Sequence, residues 1–223
     1  MNTRAVVFDL DGTLVDTAPD LTRATNYVLA TRGRASVSAA DVRGMVGLGA
    51  RSLIRRGFAA TGEAVAEEDI EELFSVFLTY YAKNVAIDSK LFPGSMQVLD
   101  MCRNTGLRLG ICTNKPEALS RALIESLGLS AYFHAIVGMD TISIAKPDPR
   151  IYDETLRQLD VNGGRTVMIG DSETDVLMAR AAGVPVIGVT FGYTLKPVAE
   201  CGPDYLAHSY EELWPLIEQA LDS

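Results

Sequence analysis

The stretch Ala5 to Asp16, AVVFDLDGTLVD, constrains what this chain can fold into more than any other. Ala5-Val6-Val7-Phe8 is a short apolar run with adjacent β-branched residues, too short for a helix, and it reads as a strand buried on both faces. Asp9 and Asp11 follow at once, before Gly12-Thr13 breaks the extended pattern. Parallel sheets receive ligands beyond the carboxyl ends of their strands, so these acids stand where chemistry is expected. Two carboxylates about 4 Å apart repel by about 4 kcal/mol at an effective dielectric near 20, unless a cation or a shared proton relieves them. The opening stretch therefore asks for a metal ion or a lysine. Taken alone, an Asp-x-Asp after a core strand is equally a polar loop.

After Asp16, Pro19 marks a helix start, and Leu21, Ala24, Val28 and Leu29 keep one apolar face until Gly33. Ser38 with Asp41 has the spacing of a capping box that opens a second helix. Gly47-Leu48-Gly49 interrupts, a third helix carries Leu53, Ile54 and Phe58, and a fourth carries Ile70, Leu73, Phe74, Phe77, Leu78 and Tyr81. The acidic run Glu67 to Glu72 leads that fourth helix at its positive end. No stretch from about Thr17 to Ile87 reads as a strand, which makes this segment a helical module set inside the chain.

From Phe92-Pro93-Gly94 onward helices and strands alternate. Strands are expected at Leu107 to Cys112, Ala135 to Val137, Thr166 to Ile169 and, as the last core strand, Val184 to Val189. Helices run through Met96 and Leu99, through Leu119 to Leu127, from Pro149 to Leu159, from Thr174 to Ala182 and from Glu211 to Leu221. Such alternation predicts an α/β fold: a Rossmann-like, mostly parallel sheet with helices on both faces, built from residues 1–16 and 89–223.

The chain has 29 acidic and 20 basic residues, a net charge of −9, which argues against a general nucleic-acid surface. A small anionic ligand would need positive charge supplied locally. No apolar run reaches the roughly 18 residues of a membrane span, and the first strand begins too early for a signal peptide, so a cytoplasmic protein is expected. Cys102, Cys112 and Cys201 are widely spaced and suit a reducing compartment, and His134 and His208 have no C-x-x-C pair near them to make a zinc site.

Three further strands end in polar residues. Thr113-Asn114 precede a helix from Pro116 and present a hydroxyl and amides suited to phosphate oxygens. Lys146-Pro147 supply a cation. Gly170-Asp171-Ser172-Glu173-Thr174-Asp175 supply a second acidic group. Each has a bland alternative as a cap, a surface charge or a turn. Their joint placement at strand ends is what points to one site.

In order and spacing, Asp9-Leu10-Asp11-Gly12-Thr13, Thr113-Asn114, Lys146-Pro147 and Gly170-Asp171 with Asp175 resemble the four motifs of the haloacid dehalogenase superfamily. The resemblance covers nearly the whole chain, with residues 17–88 matching an inserted helical cap domain. The second aspartate, Asp11, is similar to the phosphate-ester enzymes of that superfamily and unlike its dehalogenases. Val46-Gly47-Leu48-Gly49, Thr113-Asn114-Lys115-Pro116, Phe191-Gly192-Tyr193 and Pro203-Asp204-Tyr205-Leu206 are most similar to its phosphoglycolate phosphatase group. Nucleotidases, pyrophosphatases, sugar phosphatases and phosphomutases share much of this pattern.

The resemblance implies that Asp9 is a nucleophile forming an aspartyl phosphate and Asp11 a general acid and base. It implies Mg2+ held by Asp9, the main-chain carbonyl of Asp11 and Asp171, with Asp175 orienting ligand waters or Lys146. Gly12, Thr113, Asn114 and Lys146 would hold the phosphoryl group of a small phosphorylated metabolite. In the cap, Gly47 and Gly49 would let backbone amides approach an anion. Arg51 or Arg55, four apart on one helix face, would meet a substrate carboxylate, unless they pair with the acidic run at Glu67 to Glu72. No nucleic acid or membrane partner is implied, and the chain would act as a monomer or homodimer. A phosphoacceptor signalling domain uses a similar acid, hydroxyl and lysine set, but that family has no helical insert after its first strand.

Overall fold

Alternate side chains of a strand point to opposite faces, and strand β1 (Ala5–Phe8) is apolar at every position because both its faces are covered. Val6 and Phe8 join a core with Leu99, Leu123, Leu213 and Ile217 on one side; Ala5 and Val7 join Ile151, Tyr152, Val176 and Met178 on the other. The computed structural model describes residues 3–162, 164–193 and 196–222.

A two-residue strand β2 (Val15–Asp16) leads into helices α1 (Ala18–Ala30), α2 (Ala39–Arg43), α3 (Gly49–Ala60) and α4 (Ile70–Lys83). Strand β3 (Lys90–Leu91) returns antiparallel to β2, so the helical segment leaves and re-enters the sheet domain through one narrow ribbon. Helix α1 packs on α2, α3 and α4, burying Leu21, Ala24 and Val28 against Leu53, Ile54, Leu73 and Phe77. The predicted capping box is present at α2: Ser38 Oγ accepts from the Asp41 amide at 3.2 Å, and the Asp41 carboxylate accepts from the Ser38 amide at 2.9 Å.

The remainder alternates as expected: α5 (Ser95–Asn104), β4 (Arg108–Thr113), α6 (Glu117–Ser126), β5 (Ala135–Gly138), α7 (Arg150–Gln158), β6 (Thr166–Gly170), α8 (Glu173–Ala182), β7 (Val186–Val189), β8 (Tyr205–Ala207) and α9 (Leu213–Asp222). The sheet order is β5-β4-β1-β6-β7-β8, and every neighbouring pair is parallel. Phe8 lies level with Ile111 and Ile169, and β4 and β6 run on only to Thr113 and Gly170, so the three strands finish close together on one side of the sheet. The chain departs from β1 toward both sides of the sheet, which opens a crevice beyond its carboxyl end.

Two features depart from the sequence reading. Strand β7 is not the last in the sheet, because β8 pairs outside it. With only three residues, and Tyr205 and Leu206 half-buried at the sheet edge, β8 has no periodicity to announce it. The β2–β3 ribbon is shorter still and is defined by pairing across the helical segment rather than by local pattern. Among the described residues no helix is long and apolar enough to cross a membrane.

Candidate active site

Asp9 directly follows β1, Thr113 ends β4, Lys146 lies on the loop between β5 and α7, and Asp171 directly follows β6. The level strand ends bring these together with Asp175, from the first turn of α8. All five are buried. Lys146 Nζ donates to Asp175 Oδ1 at 2.7 Å and lies 2.8 Å from Asp9 Oδ1. The second contact is an ion pair, and beyond it Asp9 Oδ1 has no hydrogen-bond partner.

Burial works against the Lys146 ammonium, but the adjacent Asp175 and Asp9 outweigh it and raise its pKa. Burial pushes the Asp9 carboxyl up to about 6, an effect that Lys146 opposes and Asp175 reinforces. Asp171 is raised well above the ordinary carboxylate range by burial, then by repulsion from Asp9 and Asp175. Too much negative charge has been taken out of water for one ammonium to balance.

Asp11 is relieved by a different cation. Lys115 Nζ lies 3.0 and 3.2 Å from the two Asp11 oxygens and donates to the Tyr81 hydroxyl at 2.8 Å. The expectation of a cation at the two acids is met by a lysine at each: Lys146 at Asp9, and Lys115 at Asp11. Lys115 was quoted above only as part of a motif; its place directly after Thr113-Asn114 at a strand end was the available signal. Tyr81 comes from α4 across the crevice, so this contact joins the helical segment to the sheet domain.

Asn114 also does something the sequence did not announce. Its side chain accepts from the Lys146 amide at 2.8 Å and donates to the Lys146 and Gly47 carbonyls, each at 3.2 Å. It therefore ties the Lys146 loop in place. Thr113 Oγ1 accepts from the Lys115 amide at 3.2 Å, which leaves its own proton available to a ligand. Gly47 and Gly49 line the cavity, and the contact from Gly47 is a carbonyl rather than an amide. Arg51 turns outward, donating to both Glu71 oxygens at 2.6 and 2.8 Å with its guanidinium over Phe74, and Arg55 pairs with Glu67. The pairing with the acidic run is the arrangement found, and neither arginine lines the cavity.

Asp171 is seated by close backbone. Thr13 Oγ1 donates to its Oδ1 at 3.0 Å and the Tyr193 amide to its Oδ2 at 2.7 Å. Gly12 and Gly192 press against the same carboxylate, and a Cβ at either would overlap it. The Tyr193 hydroxyl reaches the β2 exit, accepting from the Thr17 and Ala18 amides at 2.6 and 3.1 Å and donating to Asp16 Oδ1 at 2.8 Å. One residue thus touches both an acid of the cluster and the strand leading into the helices.

Carboxylate oxygens of Asp9, Asp171 and Asp175 lie within 4.8 Å of one another. The set fits a hard divalent cation, which prefers oxygen ligands and would balance the excess charge while using the Asp9 oxygen that only Lys146 faces. Gly192→Ala is expected to weaken Mg2+ binding about 10–100-fold in a calorimetric titration, because the methyl must displace Asp171. Unchanged affinity would separate Asp171 from the metal site.

Sheet order, strand-end cluster and sequence comparison agree on the class. The chain belongs to the haloacid dehalogenase-like hydrolase family, whose model matches residues 3–183. It is 42% identical to a phosphoglycolate phosphatase of Agrobacterium fabrum over 97% of this chain and 93% of that protein. Among solved structures it is similar to a predicted phosphoglycolate phosphatase of Haemophilus somnus, with a TM-score of 0.88 and 26% identity over 97% of this chain and 98% of that one. It is also similar to CbbY of Rhodobacter sphaeroides, solved in complex with phosphate, with a TM-score of 0.81 and 27% identity over the full length of both.

Proposed function

We propose that this protein hydrolyses 2-phosphoglycolate to glycolate and phosphate, in a Mg2+-dependent reaction through an aspartyl phosphate on Asp9. The observation that carries the reading is the buried Asp9 oxygen beside Lys146, without a hydrogen-bond partner, at the cavity that Thr113 and Asp11 also line. The choice of substrate is supported by the curated relatives named phosphoglycolate phosphatase.

An Asp9 oxygen attacks phosphorus as the bond to the glycolate oxygen breaks, and Asp11, which enters this step as the carboxylic acid, gives that oxygen its proton. Asp11 then takes a proton from the water that attacks the phosphoaspartate, returning Asp9 and releasing phosphate. Lys115 holds Asp11 in position throughout. Thr113 and Lys146 bind phosphoryl oxygens as charge redistributes. Asp9, Asp171 and the main-chain carbonyl of Asp11 would hold Mg2+, with Asp175 behind them, and the bound ion would screen phosphoryl charge from the incoming carboxylate.

In this reading residues 17–88 form a cap domain over the core of residues 1–16 and 89–223, closing on substrate and excluding bulk water. Its two connections are held at defined points: Tyr193 grips Asp16 to Ala18, and the buried Asp20 accepts from the Asp88 and Ser89 amides and the Ser89 hydroxyl. The protein would work in the cytoplasm on a small metabolite, as a monomer or homodimer.

The test is a panel of phosphate esters assayed for released phosphate with and without Mg2+. Phosphoglycolate is expected to give the highest kcat/KM, and chelation to abolish turnover. A clear preference for a nucleotide, sugar phosphate or pyrophosphate would overturn the substrate assignment. Transfer to a sugar without free phosphate would make the protein a mutase.

A further inference from the structure

A phosphoglycolate-binding cavity needs two anion sites, because only an oxygen and a methylene separate the phosphorus from the carboxylate carbon. The phosphoryl end is served by Lys146, which lies between Asp9 and Asp175. The wall contributed by the helices is apolar, formed by Leu21, Val46, Ala50, Leu53 and Phe77. Among the described residues lining this cavity Lys115 is the one cation. The arginines of α3 lie elsewhere: Arg51 and Arg55 are on Glu71 and Glu67, and Arg56 donates to the Gly44 and Met45 carbonyls.

We propose that Lys115, with the Tyr81 hydroxyl beside it, recognises the carboxylate of the substrate and so determines specificity for a short phosphorylated hydroxy acid. The proposal rests on the phosphoglycolate reading above and adds the residue that enforces it. Lys115 is buried, its stem fixed by contact of the ammonium with the Tyr81 ring 4.4 Å from the centroid. An ammonium has three donors. Its three donors meet both Asp11 oxygens and the Tyr81 hydroxyl, so a substrate carboxylate reaching it through the cavity lining would replace the longer Asp11 contact, at 3.2 Å. Because Lys115 belongs to the sheet domain and Tyr81 to α4, a carboxylate bound between them would also hold the two parts together. An ester with a neutral tail would have no charge to pair with the ammonium. The apolar wall would exclude longer polar tails.

The experiment compares kcat/KM for phosphoglycolate and 2-hydroxyethyl phosphate, which carries a neutral hydroxyl in place of the carboxylate. Wild-type protein is expected to favour the acid, and Lys115→Met to reduce that preference about 10–100-fold, the worth of a charge-assisted bond. Tyr81→Phe is expected to reduce it about threefold to tenfold. Lys115→Met also unpairs Asp11, but that loss falls on both esters and cancels in the ratio, as does any change in the folded fraction. Should Lys115→Met turn over neither ester, calorimetric binding of both in Asp9→Asn and Asp9→Asn/Lys115→Met proteins applies the same criterion. A wild type without preference for the acid would overturn the substrate reading, and this inference with it. A wild-type preference that survives Lys115→Met, or that disappears in Arg56→Met instead, would overturn the inference alone.

Discussion

Asp9→Asn is expected to lower kcat by at least about 10⁴-fold while leaving the protein as stable as before or more so. The amide keeps the size and shape of the carboxylate but cannot form an acyl phosphate. The stability half of the prediction follows from the sign of the Asp9 shift. Its folded pKa of about 6 lies above the ordinary value of 3.8, so the folded state prefers the protonated form. The stability associated with that preference is complete below pH about 4 and is lost as pH rises through about 6. At pH 7, without metal, the charged Asp9 therefore costs about 3 kcal/mol, which asparagine removes. The melting temperature at pH 7 should rise by roughly 5–10 °C, and the gain should vanish near pH 4. A variant that remains active, or one destabilised at pH 7, would contradict the assignment of Asp9 as a strained, buried nucleophile.

Lys146→Met should have the opposite stability signature. It removes the ammonium from between Asp9 and Asp175, and breaking a buried ion pair from one side costs about 3–5 kcal/mol because the remaining charges have no compensation. For a chain of this size that corresponds to a fall of roughly 10 °C in melting temperature at pH 7. The fall should shrink toward pH 5, where Asp9 protonates and the repulsion with Asp175 eases. Turnover should fall by about 10³-fold, since the cation on the phosphoryl oxygens is lost as well. A loss of stability below about 1 kcal/mol would mean that the cluster is balanced in another way.

Much of the site was legible before the fold was known, for a physical reason. A strand buried on both faces must be apolar throughout, so the first polar residue after it marks the strand end, and parallel strands end on the same side of the sheet. That logic located Asp9, Thr113 and Asp171, and the structure brings them together with Lys146, which reaches the cluster from the loop beyond β5. It did not reach Lys115, whose partner Asp11 is 104 positions away and whose other contact, Tyr81, had read as one more apolar residue on a helical stripe. Nor did it orient Arg51. Helical spacing puts Arg51 on the surface of α3, but only the position of α4 decides that Glu71 and Phe74 take it.

The sequence by itself determined the alternation of helices and strands, the helical insertion after the first strand, and the set of acids, hydroxyl and one lysine, Lys146, delivered to the sheet's carboxyl end. These follow from local periodicity and from the rule that buried strands exclude charge. Only the tertiary structure decided which ammonium neutralises which acid, where β8 joins the sheet, and how Tyr193 links Asp171 to the exit toward the helices. Some of these pairings span more than one hundred positions of chain, and in all of them strength is set by burial and geometry and leaves no repeat to read.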